Sequence, residues 1–242
     1  MLNKTAQNLL LSKLRNPHLR ATTDAFDVEV AKAITGAPPK EGLADAVLLF
    51  VDIAGFSAKV AQLQPEQVRA FLKEFYAHAI QIIDNHHGII DRIIGDGIVA
   101  VFTPFLSASL NDTTANQHAL QAAEEIVAKF SHTDRNSKAA LSSGKVLFCK
   151  TGLEGVYTDY TVLGNPLTHV YRMEEVASAN QIITPENSMI GRLMVQPRTL
   201  TTPATLAVPS WSVTKDSTKL RGAETLGTLL LQTYTSRVIR RG

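Results

Sequence analysis

Two aspartates of this sequence stand where their neighbours make a carboxylate unusual. Asp52 follows the apolar run AVLLFV, residues 46–51, which predicts a buried strand. Asp96 lies in a Gly-Asp-Gly turn between the apolar segments GIIDRII and GIVAVF. A carboxylate at the end of a buried strand needs a partner, because burying an unpaired charge is costly. Asp96 by itself has a simpler explanation, since turns favour aspartate.

These two carboxylates point to a metal ion bound together with a nucleoside triphosphate. Mg²⁺ and Mn²⁺ prefer oxygen ligands, and two aspartates supply them. The loop after Asp52 contains Gly55, which permits close approach of the backbone to a ligand. If the backbone N–H groups of Gly55, Phe56 and Ser57 begin a helix, they can face a phosphate. The sequence therefore predicts a metal site at Asp52 and Asp96 and a nucleotide-binding loop beside it.

The elements that must position these residues follow from the hydrophobic periodicity and the turn signals. The pattern predicts an α+β fold in which strands and helices alternate after residue 45. Strands are predicted at 46–51, 88–94, 97–102, 139–149, up to 164, 181–184 and 226–236, and helices at 65–85, 115–130 and 165–178. The order strand–helix–strand–strand–helix–strand is that of a ferredoxin-like split βαβ core. In that core the strands that carry Asp52 and Asp96 are central neighbours, so the two carboxylates can converge at one end of the sheet.

The chain divides into two predicted domains. Residues 1–44 read as an N-terminal helical extension, with short helices around 5–14 and 25–35 and a closing linker GAPPKEG. Residues 45–242 form the main domain, within which residues 186–215 carry no pattern that we can interpret. A chain of 242 residues accommodates one large domain with an extension.

Composition excludes several classes of protein and partner. A formal net charge of +2 gives no case for binding to nucleic acid or to a membrane. No apolar run reaches the roughly 18 residues of a membrane span. The N-terminal leucines are interrupted by Lys13 and Arg15, which is unlike a signal peptide. With Cys149 as its single cysteine, the chain has no internal disulfide and no cysteine-based zinc site. We therefore expect a cytoplasmic protein.

Four segments, in this order, resemble the catalytic domain of class III nucleotidyl cyclases. They are FVDIAGFS, HGIIDRIIGDGIVAVF, ALSSGKV and DYTVLGNPLTHVYRMEEVA, within residues 46–185. The resemblance implies that residues 45–242 are a catalytic domain that converts a nucleoside triphosphate into a cyclic nucleotide and pyrophosphate. It implies two divalent metal ions, Mn²⁺ or Mg²⁺, as cofactors. It also implies a homodimer of head-to-tail domains with active sites at the interface.

The resemblance assigns roles to individual residues. Asp52 and Asp96 match the two metal aspartates, and the main-chain carbonyl of Ile53 matches a further metal ligand. Arg172, in YRMEE, matches the arginine that stabilises the transition state, and Arg221, in LRG, is similar to a basic residue that holds the terminal phosphates. From the residues alone, a surface helix arginine paired with Glu175 or Glu174 is the better explanation of Arg172.

Three positions depart from the purine cyclases of this family. Arg92 stands where they carry the lysine that donates to the base, and Thr168 stands where they carry the asparagine that orients the ribose. Thr161 stands where most carry an aspartate, and it matches a bicarbonate-responsive subgroup of adenylate cyclases. Arg92 fits neither purine pattern. Because arginine is longer and broader than lysine, it should shrink the base pocket, and its forked donors can reach the acceptors of a pyrimidine.

The chain also resembles the pyrimidine cyclases of the Pycsar anti-phage systems, which are compact class III-like domains. That resemblance implies cyclisation of UTP to cyclic UMP, with a downstream cyclic-nucleotide effector. Phe50 should lie on the same face of its strand as Asp52 and form a wall of the pocket. A cytidylate cyclase and an adenylate cyclase of the threonine-bearing subgroup remain alternatives. A non-catalytic nucleotide sensor is a further one, which the retention of Asp52, Asp96 and Arg172 disfavours.

Overall fold

A computed structural model describes residues 41–153, 156–196, 209–217, 220 and 226–236 of the chain. The predicted helices around 5–14 and 25–35 and the predicted phosphate-binding residue Arg221 lie outside the described residues. The boundary between residues 44 and 45 stays a prediction, although the first strand begins at Gly42 and so includes the last residues assigned to the extension.

The described residues form an α+β domain built on one eight-stranded sheet. The strands are β1 (Gly42–Ile53), β2 (Ile89–Ile94), β3 (Gly97–Phe102), β4 (Ser137–Leu153), β5 (Tyr157–Leu163), β6 (Gln181–Pro185), β7 (Pro209–Asp216) and β8 (Leu229–Ser236). Their spatial order is β2-β3-β1-β4-β6-β8-β7, and β5 pairs with β4 outside this path. The β4–β6 pair is parallel and the other described pairs are antiparallel.

Five helices complete the described part of the domain. They are α1 (Phe56–Val60), α2 (Pro65–Asn85), α3 (Asp112–Phe130), α4 (Asn165–Glu174) and α5 (Met189–Val195). The bounds of α2 are those that the sequence predicts, since Pro65 occupies the first turn and a capping box joins Gln64 to Gln67. The order β1–α2–β2–β3–α3–β4 confirms the predicted split βαβ core.

Strand β1 is buried on both faces, which explains why its apolar run is continuous. Val47, Leu49, Val51 and Ile53 face one hydrophobic cluster, which includes residues of α2, α3 and α5. The alternate residues of β1, ending with Phe50, face a second cluster that includes residues of α4 and β5. Asp52 continues this alternation, so its side chain emerges on the α4 side of the sheet.

Strands β1 and β4 are longer than the sequence predicts, β8 begins three residues later, and the helices and the segment 186–215 differ as well. Helix α3 begins at Asp112 rather than at 115, because the Asn111 side chain caps it by accepting from the backbone N–H of Thr114 at 2.9 Å. Helix α4 ends at Glu174, four residues before the predicted end. The segment 186–215 contains α5 and most of β7, which its sequence did not reveal. Over the residues that the structure describes, no helix is long and apolar enough to cross a bilayer.

Candidate active site

The two predicted metal aspartates lie together at one end of the sheet. Strands β1 and β3 are antiparallel neighbours, and their register pairs Val51 with Ile98, which brings Asp52 level with the turn that holds Asp96. The carboxyl groups of Asp52 and Asp96 are close enough to interact directly. The backbone N–H of Ile53 donates to Oδ2 of Asp96 at 3.3 Å. The convergence expected from the split βαβ topology is therefore present.

This carboxylate pair is electrostatically unfavourable without a cation. Burial, together with the neighbouring carboxylates of Asp96 and then Glu174, raises the pKa of Asp52 to about 9. A divalent cation would remove that repulsion, so the donor set fits a metal. Among the described residues, no group of three or more His, Cys, Asp or Glu side chains is arranged as a metal site by itself. Backbone and phosphate oxygens would have to complete the coordination.

A buried ion pair borders the aspartates. Lys138 of β4 stands opposite Asp52 in the strand register, yet its Nζ lies 2.6 Å from Oε1 of Glu174 and donates to the Glu174 carbonyl at 3.2 Å. The ammonium thus binds the α4 helix rather than neutralising Asp52. Sequence analysis did not predict this contact between Lys138 and Glu174, because it depends on how α4 lies on the sheet.

The turn that carries Asp96 is fixed from two sides. Gly97 lies against Phe50, and a Cβ at this glycine would come within 2.4 Å of the Phe50 ring. Tyr76 of α2 donates a hydrogen bond from its hydroxyl to the carbonyl of Gly95. Phe50 is buried, packs edge-on against Tyr171 with ring centroids 5.1 Å apart, and lies on the face predicted for it. Sequence reasoning missed Tyr76, since only the tertiary structure places α2 beside the turn.

The loop after Asp52 has the predicted form. Gly55 adopts a left-handed conformation with φ of 68°, and α1 begins at the next residue. Gly55 and Ser57 are exposed. The Phe56 ring packs toward Phe71, with centroids 6.2 Å apart, and lies partly buried against the hydrophobic core. Phe56 therefore offers its backbone, and not its ring, to a ligand.

The predicted base-recognition residues form a second group. A β-bulge between Ile90 and Arg92 brings Arg92 opposite Val99, and hence onto the α4 side of the sheet. Arg92 donates from Nη2 to the Thr161 hydroxyl and from Nε to Oδ2 of Asp91 at 2.5 Å. The other oxygen of the buried Asp91 accepts from the backbone N–H of Val162 at 3.3 Å. Asp91, which the sequence analysis did not single out, thus fixes the guanidinium against β5.

The remaining predicted residues lie on α4. Thr168 and Arg172 are one helical turn apart and both are exposed. Arg172 Nη1 lies 3.5 Å from Oε1 of Glu175, which is the surface pairing that the residues alone allowed. Within the described ranges, no hydrogen bond or ion pair joins the Arg92 group or Arg172 to either aspartate. One chain therefore presents two separate sets of site residues.

A comparison with known families identifies the domain. The model of the adenylate and guanylate cyclase catalytic domain matches residues 39–200. The chain belongs to this family. The match extends on both sides of residues 46–185, over which the four motifs lie, and it includes both the Asp52 and Asp96 carboxylates and the Arg92 group.

A curated relative shares part of the sequence, and solved structures share the fold. An uncharacterized protein of Mycobacterium tuberculosis is 28% identical over 200 residues, which are 81% of this chain but 35% of that protein, so the chain spans about a third of that relative. The adenylyl cyclase CyaB from P. aeruginosa shares the fold, with a TM-score of 0.61, 14% identity, and coverage of 84% of this chain and 100% of that one. A non-canonical dimeric guanylyl cyclase domain of a RhoGC fusion protein from the aquatic fungus Blastocladiella emersonii gives a TM-score of 0.58 at 16% identity, covering 82% of this chain and 99% of that one.

Proposed function

We propose that this domain is a nucleotidyl cyclase that forms a 3′,5′-cyclic pyrimidine nucleotide and pyrophosphate, with UTP as the preferred substrate. Family membership and the carboxylate pair of Asp52 and Asp96 support cyclase activity. The side chains of Asp52 and Asp96 and the carbonyl of Ile53 would hold two divalent ions, Mg²⁺ or Mn²⁺. When bound, such ions supply a lowered pKa for the attacking ribose hydroxyl and charge neutralisation at the phosphates.

The chain's own residues account for the rest of the proposed chemistry. The loop at Gly55, Phe56 and Ser57 would cradle the phosphates through its backbone. Arg172 is exposed, and among the described residues it is held only by a 3.5 Å contact with Glu175, so it can turn to the α-phosphoryl group and stabilise charge there. Thr168, one turn before it, would line the ribose side. Arg221 would contact the terminal phosphates.

The preference for a pyrimidine rests on one observation, the Arg92–Thr161 pair. Asp91 holds the guanidinium by Nε, so the long side chain is fixed across the pocket rather than free to withdraw. A fixed arginine leaves less room for a two-ring base than a lysine would. Its remaining N–H donors suit the oxygen acceptors of uracil, and the Thr161 hydroxyl can donate or accept at N3. Cytosine offers O2 and N3 to the same donors and is the nearest alternative.

The absence of direct contacts between the two residue sets, among the described residues, supports a homodimer with two active sites at its interface. One chain would supply Asp52 and Asp96 to a site that its partner completes with Arg92, Thr161 and Arg172. The Blastocladiella domain, which shares the fold, is described as a non-canonical dimer in one structure and as a monomer in another. The cyclic nucleotide would act as a second messenger in anti-phage defence through a downstream effector, a role supported by the resemblance to Pycsar cyclases.

An adenylate cyclase remains the second candidate, because Thr161 matches the threonine-bearing subgroup and CyaB shares the fold. Purified protein should be incubated with ATP, GTP, CTP and UTP in competition, with Mn²⁺, and the products identified by mass spectrometry. We expect cyclic UMP to predominate and Asp52→Ala to form no product. Equal use of ATP and UTP would favour the adenylate cyclase. Predominant cyclic CMP would favour the cytidylate cyclase, and the absence of any product would favour a nucleotide sensor.

A further inference from the structure

Lys59 is a half-buried lysine beside the carboxylate pair that the proposed chemistry does not use. It lies on α1, which begins just after the loop that follows Asp52. Its ammonium donates a hydrogen bond to Oδ1 of Asn136. The backbone carbonyl of Asn136 accepts from the N–H of Ala54 at 2.9 Å, so this contact lies against the same loop. The Lys59 ammonium is therefore held at the edge of the phosphate-binding loop.

The charges around Lys59 leave its ammonium incompletely neutralised. Burial lowers the pKa of Lys59, and the carboxylates of Asp134 and then Asp96 act in the opposite direction. Asp134 already pairs with Arg135 at 2.7 Å, and Asp96 faces Asp52. Among the residues that the structure describes, Lys59 forms no ion pair, and its hydrogen-bond partner is a neutral amide. A partly desolvated cation with a neutral partner is well suited to receive an anion.

The anion that this position can receive is a polyphosphate. An ammonium has three donors, of which Asn136 occupies one, and lysine is a common ligand of phosphate oxygens. Asn136 joins Lys59 to the backbone of Ala54, two residues after Asp52, and the Asp96 carboxylate acts on the pKa of the ammonium. A triphosphate bound at the aspartates would therefore lie near Lys59. The single hydrogen bond to an amide can be exchanged at low cost for a charge-assisted one.

We propose that Lys59 is a further substrate-binding residue whose ammonium contacts the terminal phosphates of the triphosphate and of the pyrophosphate product. This inference rests on the proposed cyclase function. The alternative is a structural role, in which Lys59 only tethers α1 to Asn136 through its hydrogen bond. Removing Asn136 would abolish that tether but leave the ammonium in place, so the two roles can be separated.

Isothermal titration with Mn²⁺ tests the proposal without turnover. The ligands are the α,β-methylene analogue of whichever triphosphate the wild type consumes, inorganic pyrophosphate, and the matching nucleoside monophosphate. The variants are Lys59→Met, Lys59→Gln in case the first fails to fold, Lys59→Arg, Asn136→Ala, and Lys73→Met as the matched control. Lys73 is an exposed lysine of α2 with no assigned role.

Lys59→Met and Lys59→Gln should weaken the binding of the triphosphate analogue and of pyrophosphate about tenfold to hundredfold, as expected for a lost hydrogen bond to a charged group. Binding of the monophosphate should change less than about twofold, since it lacks the terminal phosphates. Lys59→Arg should retain most of the affinity, and Asn136→Ala and Lys73→Met should resemble the wild type.

Two results would overturn the inference while leaving the cyclase assignment intact. One is unchanged binding of pyrophosphate by Lys59→Met in a protein that still turns over its substrate. The other is a loss in Asn136→Ala as large as that in Lys59→Met, which would make Lys59 a tether. A wild type that binds no triphosphate and forms no cyclic product would instead refute the proposed function, and with it this inference.

Discussion

The substitution Asp52→Asn should stabilise the metal-free protein, because it removes a carboxylate that burial and its neighbours keep from ionising. In the folded protein the pKa of Asp52 is raised from 3.8 to about 9. Because this pKa is raised on folding, the contribution of Asp52 to folding stability is complete below pH 3.8 and is lost progressively as the pH rises toward 9. The asparagine has the same shape and no such dependence. The free energy of unfolding of the variant should therefore equal that of the wild type near pH 4 and should exceed it by a growing amount as the pH rises.

The size of this effect follows from the linkage between protonation and folding. At about 1.36 kcal/mol per pH unit, a fully buried group with this shift would lower the free energy of unfolding by about 5 kcal/mol at pH 7.5. Asp52 is only partly buried, and solvent screening reduces the cost to about 2 kcal/mol. For a domain of this size that corresponds to a rise of about 4–8 °C in Tm. The control is Asp45→Asn at the exposed end of β1, where the carboxylate pairs with Lys145 at 3.3 Å.

The assay is thermal unfolding in EDTA at several pH values from 5 to 9, followed by the same series with Mn²⁺. Asp52→Asn should be more stable than the wild type in EDTA, with a gap that widens with pH, whereas Asp45→Asn should stay within about 1 kcal/mol of the wild type. Saturating Mn²⁺ should raise the Tm of the wild type and of Asp45→Asn more than that of Asp52→Asn. A pH-independent gap, or equal stabilisation of all three proteins by Mn²⁺, would refute the metal-site reasoning.

Three further predictions address the base pocket, the assembly and the turn. In competition among the four triphosphates, Arg92→Ala should reduce the preference for UTP over ATP about tenfold to hundredfold. Thr161→Val should lower the use of UTP more than the use of CTP. An unchanged ranking of the substrates would remove the argument for a pyrimidine. Mixing inactive Asp52→Ala with inactive Arg172→Ala should restore part of the activity, because one of the two sites in each heterodimer is then intact. A mixture that exchanges subunits and stays inactive would contradict the proposal that two chains share each site. Gly97→Ala should lower the free energy of unfolding by about 1–3 kcal/mol, measured by denaturant titration, since its Cβ would overlap the Phe50 ring.

The sequence by itself determined the elements of the split βαβ core and the metal-site candidates. Helix α2 could be predicted to the residue, because Pro65 and a long apolar stripe define it locally. The turn around Asp96 and the strand before Asp52 could be predicted because glycine spacing and a continuous apolar run are local signals. The convergence of the two aspartates then followed from topology, since neighbouring antiparallel strands bring a strand end and a turn together.

Only the tertiary structure decided which groups surround those candidates. Asp91 looked like an ordinary strand residue until the bulge beside it turned Arg92 onto the α4 side of the sheet. Lys59 contacts Asn136 because the loop before β4 packs against α1. Lys138 contacts Glu174 because α4 packs on the sheet. In both pairs the two residues are far apart in the sequence. Local sequence carries periodicity and turn chemistry, whereas these contacts depend on strand register and helix placement. Those are properties of the whole packed domain, set by burial on both faces of its sheet.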